Sequence, residues 1–68
     1  MKVRSVVIQT IDQYGNISVT SMREGVDGVA DLHYIVRDGM VCANSRVNGM
    51  REGYSVPVQH VIDVRTTL

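Results

Sequence analysis

Two dipeptides, Asp38-Gly39 and Asn48-Gly49, constrain the fold of this chain more than any other feature of the sequence. A two-residue type I′ turn needs positive φ at both central positions, and Asp-Gly and Asn-Gly provide it at low cost. Strand-like residues flank both dipeptides, so the sequence predicts two consecutive β-hairpins. Another turn is predicted at residues 13–16, where Gly follows Tyr and precedes Asn.

The composition favours strands over helices. Hydrophobic residues make up 44% of the 68 residues, but Trp and Phe are absent and the aromatic residues are three tyrosines. The core must therefore consist of Val, Ile, Leu and Met. Valine and isoleucine are stiff at χ1 and pack better on a pleated strand than on a helix. The composition therefore predicts an all-β chain with an aliphatic core.

Strands are also predicted at the two ends of the chain. Residues 2–11 form a long first strand whose centre is apolar on both faces, and residues 61–65 form a last strand with Ile62 and Val64 on one face. With closely spaced turns between them, we expect a single domain over residues 1–68. Its predicted architecture is a small barrel or meander of five to six strands.

Residues 28–36 leave one alternative open. Val29, Leu32, His33 and Val36 also follow a 3.6-residue period, and Asp27 could cap a helix at its N-terminus. A short helix there would make the chain an α+β, ββαββ domain. The β-branched residues and the Asp-Gly turn that follows favour a strand.

The segment Gly53 to Val61, GYSVPVQHV, resembles the passage into the last strand of SH3-like small β-barrels. Such a passage implies a short 3₁₀ turn at Pro57, which has no amide hydrogen for a ladder and has a preset φ. The chain lacks the acidic-aromatic loop and the tryptophan with which SH3 domains bind proline-rich peptides. The resemblance therefore implies architecture and not a ligand.

Charge and cysteine content exclude several classes of protein. Seven basic residues balance seven acidic ones, and the pI is about 6.7, which disfavours a general binder of polyanions. The single cysteine cannot form an internal disulfide. The sequence has neither an apolar run of roughly 18 residues nor a leader-like segment. We therefore expect a cytoplasmic protein with no membrane partner.

The sequence gives little support for catalysis or metal binding. Cys42 lies in an apolar strand, where a thiol is usually a small buried hydrophobic group. His33 and His60 are not spaced from Cys42 as zinc ligands are, and we expect His60 to hydrogen-bond a backbone group or to lie half-exposed. We predict no catalytic residue, no metal and no cofactor, and hence a protein that is not an enzyme.

The remaining hypothesis is a binding or regulatory module that forms a homo-oligomer and contacts a larger macromolecule, with a protein favoured as partner. Tyrosine and arginine dominate protein interfaces. The predicted binding residues are Tyr14, Tyr34, Arg37, Arg46 and Arg51. The three arginines fall on the two predicted hairpins and would form one rim. The alternative is that this rim binds a nucleic-acid backbone.

Overall fold

Six β-strands and one short 3₁₀ turn form the chain in the computed structural model, which describes residues 1–68. The strands are β1 (Ser5–Ile11), β2 (Ile17–Arg23), β3 (Val29–Arg37), β4 (Met40–Val47), β5 (Met50–Pro57) and β6 (Val61–Thr67), and the 3₁₀ turn is Val58–His60. The all-β prediction is confirmed, as is the 3₁₀ turn after Pro57. Residues 28–36, the site of the alternative helix, lie almost entirely in β3.

The strands form two three-stranded antiparallel sheets, in the orders β2-β1-β6 and β3-β4-β5. The second sheet is the predicted meander. Backbone hydrogen bonds join the sheets where the chain begins: the Val3 amide donates to the Leu32 carbonyl at 3.1 Å, and the Tyr34 amide donates to the Met1 carbonyl at 2.8 Å. The sheets are not closed into a barrel, so the closed form of the predicted architecture is not observed.

The two predicted hairpin turns are confirmed by their backbone angles. Asp38 and Gly39 have φ values of 52° and 74°, and Asn48 and Gly49 have φ values of 51° and 83°. Positive φ at both central residues is the requirement of a type I′ turn. These turns fix the β3–β4 and β4–β5 registers, which pair Arg37 with Met40 and Val47 with Met50.

The core between the sheets is aliphatic and small. Its buried hydrophobic residues are Val3, Val6, Ile8, Leu32, Val41 and Ala43. Val6 and Ile8 of β1 are fully buried, whereas Val7 between them lies on the opposite face. Seven of the 68 residues are buried in all, so much of the apolar surface of the chain is exposed to solvent.

A register shift in β6 changes which residues face the core. Gln9 pairs with Asp63, but Thr10 pairs with Val61, so Ile62 has no partner on β1. Val61 and Val64 therefore pack against the core, and Ile62 is 48% exposed. The prediction that Ile62 and Val64 lie on one face is wrong, because an irregularity of this kind inverts the alternation of side chains.

Candidate functional site

The structure brings two of the three predicted rim arginines together. Arg46 on β4 is the direct cross-strand partner of Arg51 on β5. Arg37 pairs with Met40 at the other end of the β3–β4 hairpin. At about 3.3 Å per strand residue, the six positions from Met40 to Arg46 span roughly 20 Å. Arg37 is therefore not part of one rim with Arg46 and Arg51, although it is exposed.

The Arg46–Arg51 groove is a polar depression of about 220 Å³ beside these two arginines. Its lining residues are Asp31, His33, Asn44, Ser45, Arg46, Arg51 and Glu52. The groove has no hydrophobic lining residue, and it contains guanidinium, carboxylate, imidazole and amide groups. It therefore offers hydrogen bonds and charge to a ligand rather than apolar contact.

A break in the β3–β4 ladder places Asp31 in this groove. The register shifts between Ala30 and His33, and Asp31 has a φ of 53°, in the left-handed region that few non-glycine residues adopt. Its carboxylate lies 3.4 Å from the Arg46 guanidinium, and the two side chains are 50% and 51% exposed. An ion pair this exposed contributes little to folding stability.

The first turn presents Tyr14 to solvent. Tyr14 is 80% exposed, in agreement with its predicted place on the surface. The Asp12 carboxylate holds the turn, accepting hydrogen bonds from the Asn16 amide at 2.9 Å and the Tyr14 amide at 2.8 Å. The Asn16 amide is the largest influence lowering the pKa of Asp12 below its ordinary value. The turn is thus fixed, and Tyr14 projects from it.

Two other residues lie beside the core. Tyr34, predicted as an exposed contact residue, is half-buried and packs against the core cluster. His60 is also partly buried, and its Nδ1 lies 3.1 Å from the Ile11 carbonyl oxygen. A carbonyl can only accept, so Nδ1 carries the proton. This confirms that His60 hydrogen-bonds a backbone group.

Cys42 does not lie in the core, contrary to the prediction. Its neighbours on β4, Val41 and Ala43, are buried on the inner face, so Cys42 points to the outer face. There it is half-buried, and the Ser55 hydroxyl donates to its sulfur at 3.4 Å. No three His, Cys, Asp or Glu side chains are grouped as metal ligands.

Strand β2 forms a sheet edge that differs from the other three edges. Strands β3 and β6 each contain a register shift, and β5 carries Arg51, Glu52 and Pro57. Bulges, charges and prolines are the usual means of preventing an edge from pairing with another strand. β2 pairs with β1 in unbroken register and has no charged residue before Arg23.

The face of β2 turned away from the core is apolar near the first turn. Ile17 and Val19 are 57% and 62% exposed, and they pair with Ile11 and Gln9 of β1. The alternation of residues 17–20 in the sequence predicts a strand with its apolar side chains inside, but the structure turns Ile17 and Val19 outward. The place of this strand at an edge is not predicted, since an edge is defined only once the sheet order is known. We call Ile17–Arg23 with its free backbone groups the β2 edge.

Comparisons with known proteins do not indicate a function for this chain. No family model, no curated protein and no solved structure matches the chain. The structure contains no helix of the length and apolar character needed to cross a membrane. Function is therefore inferred from the β2 edge, from Tyr14 and from the Arg46–Arg51 groove.

Proposed function

We propose that this chain is a non-catalytic binding module of the cytoplasm that self-associates and regulates a larger protein. The observation that carries the proposal is the β2 edge, a seven-residue strand with exposed Ile17 and Val19, no register shift, no proline and no charge before Arg23. Its outward-facing amide and carbonyl groups can pair with another strand. Pairing would also cover the adjacent apolar side chains.

A second copy of this chain is the occupant that we propose for the β2 edge. Two antiparallel β2 strands would join two three-stranded sheets into one continuous sheet. The side chains on these strands are mostly small or β-branched and carry a single charge, on Arg23, so two copies meet without strong repulsion. The core has only six buried hydrophobic residues, and a chain with so small a core gains stability from a partner subunit.

The larger partner is proposed to be a protein because of the side chains that remain outside the β2 edge. Tyr14 is 80% exposed, and Arg51 is exposed beside a polar groove. Tyrosine and arginine supply much of the binding energy of protein interfaces. We also propose that the architecture is an open variant of the SH3-like barrels. The three-stranded meander, the 3₁₀ turn and the return of β6 beside β1 support this.

Native mass measurement of a lysine variant tests self-association. Val19→Lys adds a charge to the exposed face of β2, where a lysine blocks pairing of edges. We expect the wild type to be a dimer or larger at micromolar concentration, and Val19→Lys to be a folded monomer. Val58→Lys is the matched control, because Val58 is 44% exposed but lies in the 3₁₀ turn, and it should leave the mass unchanged.

Two results would contradict the proposal. One is a wild-type chain that stays monomeric at micromolar concentration. The other is a Val19→Lys variant that retains the wild-type mass, which would place the contact elsewhere. A melting curve for each variant establishes that a change of mass is not caused by unfolding.

A further inference from the structure

Arg46 and Arg51 form a cross-strand pair of like charge. The β4–β5 register places them directly opposite each other, and like charges in that position destabilise a sheet. A negative group nearby reduces this repulsion. Asp31 supplies one carboxylate, 3.4 Å from Arg46.

Arg51 is left without such a partner. The ion pairs of the structure are Arg37–Asp38, Arg46–Asp31 and Arg65–Asp63. Arg51 is exposed and lines the Arg46–Arg51 groove. Its guanidinium is a planar fork of donors suited to a carboxylate or a phosphate. The groove therefore contains one arginine that is held in an ion pair and one, Arg51, that is in none, although Glu52 also lines it.

The groove also has space for a ligand group. Its volume of about 220 Å³ is well above the ~10–15 Å³ that a cavity needs to hold one water molecule. Asn44 and His33 line it and can donate further hydrogen bonds. No apolar side chain lines it. A carboxylate therefore fits the space and meets several donors.

We infer that the Arg46–Arg51 groove binds a side-chain carboxylate from an acidic segment of the protein partner. This inference rests on the proposed function and names the chemistry of its partner. A nucleic-acid backbone needs a row of cations, and Arg37 lies too far along the sheet to extend Arg46 and Arg51 into such a basic stripe. A single carboxylate can approach Arg51 while Asp31 stays on Arg46.

Titration with labelled peptides tests the site in the full-length chain. The probes are a short glutamate-rich peptide, the same peptide with glutamine for glutamate, and a single-stranded DNA oligonucleotide. We expect the acidic peptide to bind and the glutamine peptide to show no binding. Arg51→Gln should weaken binding by about tenfold, the loss of a charge-assisted bidentate contact.

Arg37→Gln is the matched control for Arg51→Gln. Arg37 is an exposed arginine with a weak ion pair to Asp38 at 3.8 Å, outside the groove, so binding should change by less than about twofold. Asp31→Asn should strengthen binding several-fold, because it frees Arg46. Asparagine tolerates a positive φ better than most residues, so this variant should remain folded.

Several results would overturn the inference. One is that the acidic peptide does not bind. Another is that Arg51→Gln and Arg37→Gln change the affinity for the peptide equally, and a third is that Asp31→Asn binds the peptide more weakly than the wild type. Tighter binding of the oligonucleotide, lost in Arg51→Gln and steeply reduced by salt, would assign the groove to nucleic acid. The native mass of the wild type tests self-association separately. Peptide binding by monomeric Val19→Lys would show that the groove acts within one chain.

Discussion

Replacement of Leu32 by alanine tests whether the small core carries the stability of the fold. Leu32 on β3 is fully buried and is among the largest side chains of the core. Truncation to alanine removes three buried carbons, worth ~0.8 kcal/mol each or about 2.4 kcal/mol together. The cavity left behind adds to this, and buried Leu→Ala changes cost about 2.7–5 kcal/mol.

This loss is large relative to what the whole chain can have. At about 0.05–0.15 kcal/mol per residue, a chain of 68 residues has an unfolding free energy of about 3–10 kcal/mol. A change of 1 kcal/mol shifts the Tm of a domain this size by about 4–8 °C. Leu32→Ala should therefore lower the Tm by at least about 10 °C.

The matched control is Val36→Ala, on the same strand and opposite buried Val41. Val36 is 55% exposed, so its truncation should cost less than about 1 kcal/mol. Denaturant unfolding at one fixed protein concentration gives both free energies, since association would otherwise add a concentration-dependent term. Equal losses for Leu32→Ala and Val36→Ala, or a loss below about 1 kcal/mol for Leu32→Ala, would refute the assignment of the core.

Two further predictions concern turns. The lowered pKa of Asp12 means that its ionised form stabilises the first turn at neutral pH, and this stabilisation is lost as the pH falls below about 4 through the lowered pKa. The Asn16 amide resonance should therefore shift on acidification in the wild type and stay constant in Asp12→Asn. Gly28→Ala and Gly49→Ala both place a side chain at positive φ, but only the methyl group at Gly28 would collide with Asn48. Gly28→Ala should lower the denaturant midpoint further, and equal midpoints would contradict this reasoning.

The sequence predicts the local parts of this fold well because they depend on neighbouring residues. The turns at Asp38-Gly39 and Asn48-Gly49 follow from backbone angles that few dipeptides adopt easily. The 3₁₀ turn after Pro57 is implied by the resemblance of residues 53–61 to SH3-like barrels, and a residue with fixed φ and no amide donor is compatible with it. Each of these features is set within a few residues, and the structure contains all of them.

The features that the sequence did not predict depend on pairing between distant strands. Ile62 is displaced from the core by a register shift opposite Gln9 and Thr10, and Cys42 faces outward because Val41 and Ala43 face inward. An apolar run such as Met40 to Ala43 does not indicate which alternate residues point to the core. In the same way, adjacency of Arg46 and Arg51 was predictable from a two-residue turn, whereas the place of Asp31 beside them depends on a bulge.

The small core and the unprotected β2 edge have one physical consequence in common. A second copy that binds only the folded chain stabilises it by about 2.7 kcal/mol at a concentration 100 times the dissociation constant. That amount is comparable with the loss expected from removing most of a buried leucine. Pairing through Ile17–Arg23 would therefore stabilise the fold as much as an additional core side chain. The Tm of the wild type should accordingly rise with protein concentration, while that of monomeric Val19→Lys should not.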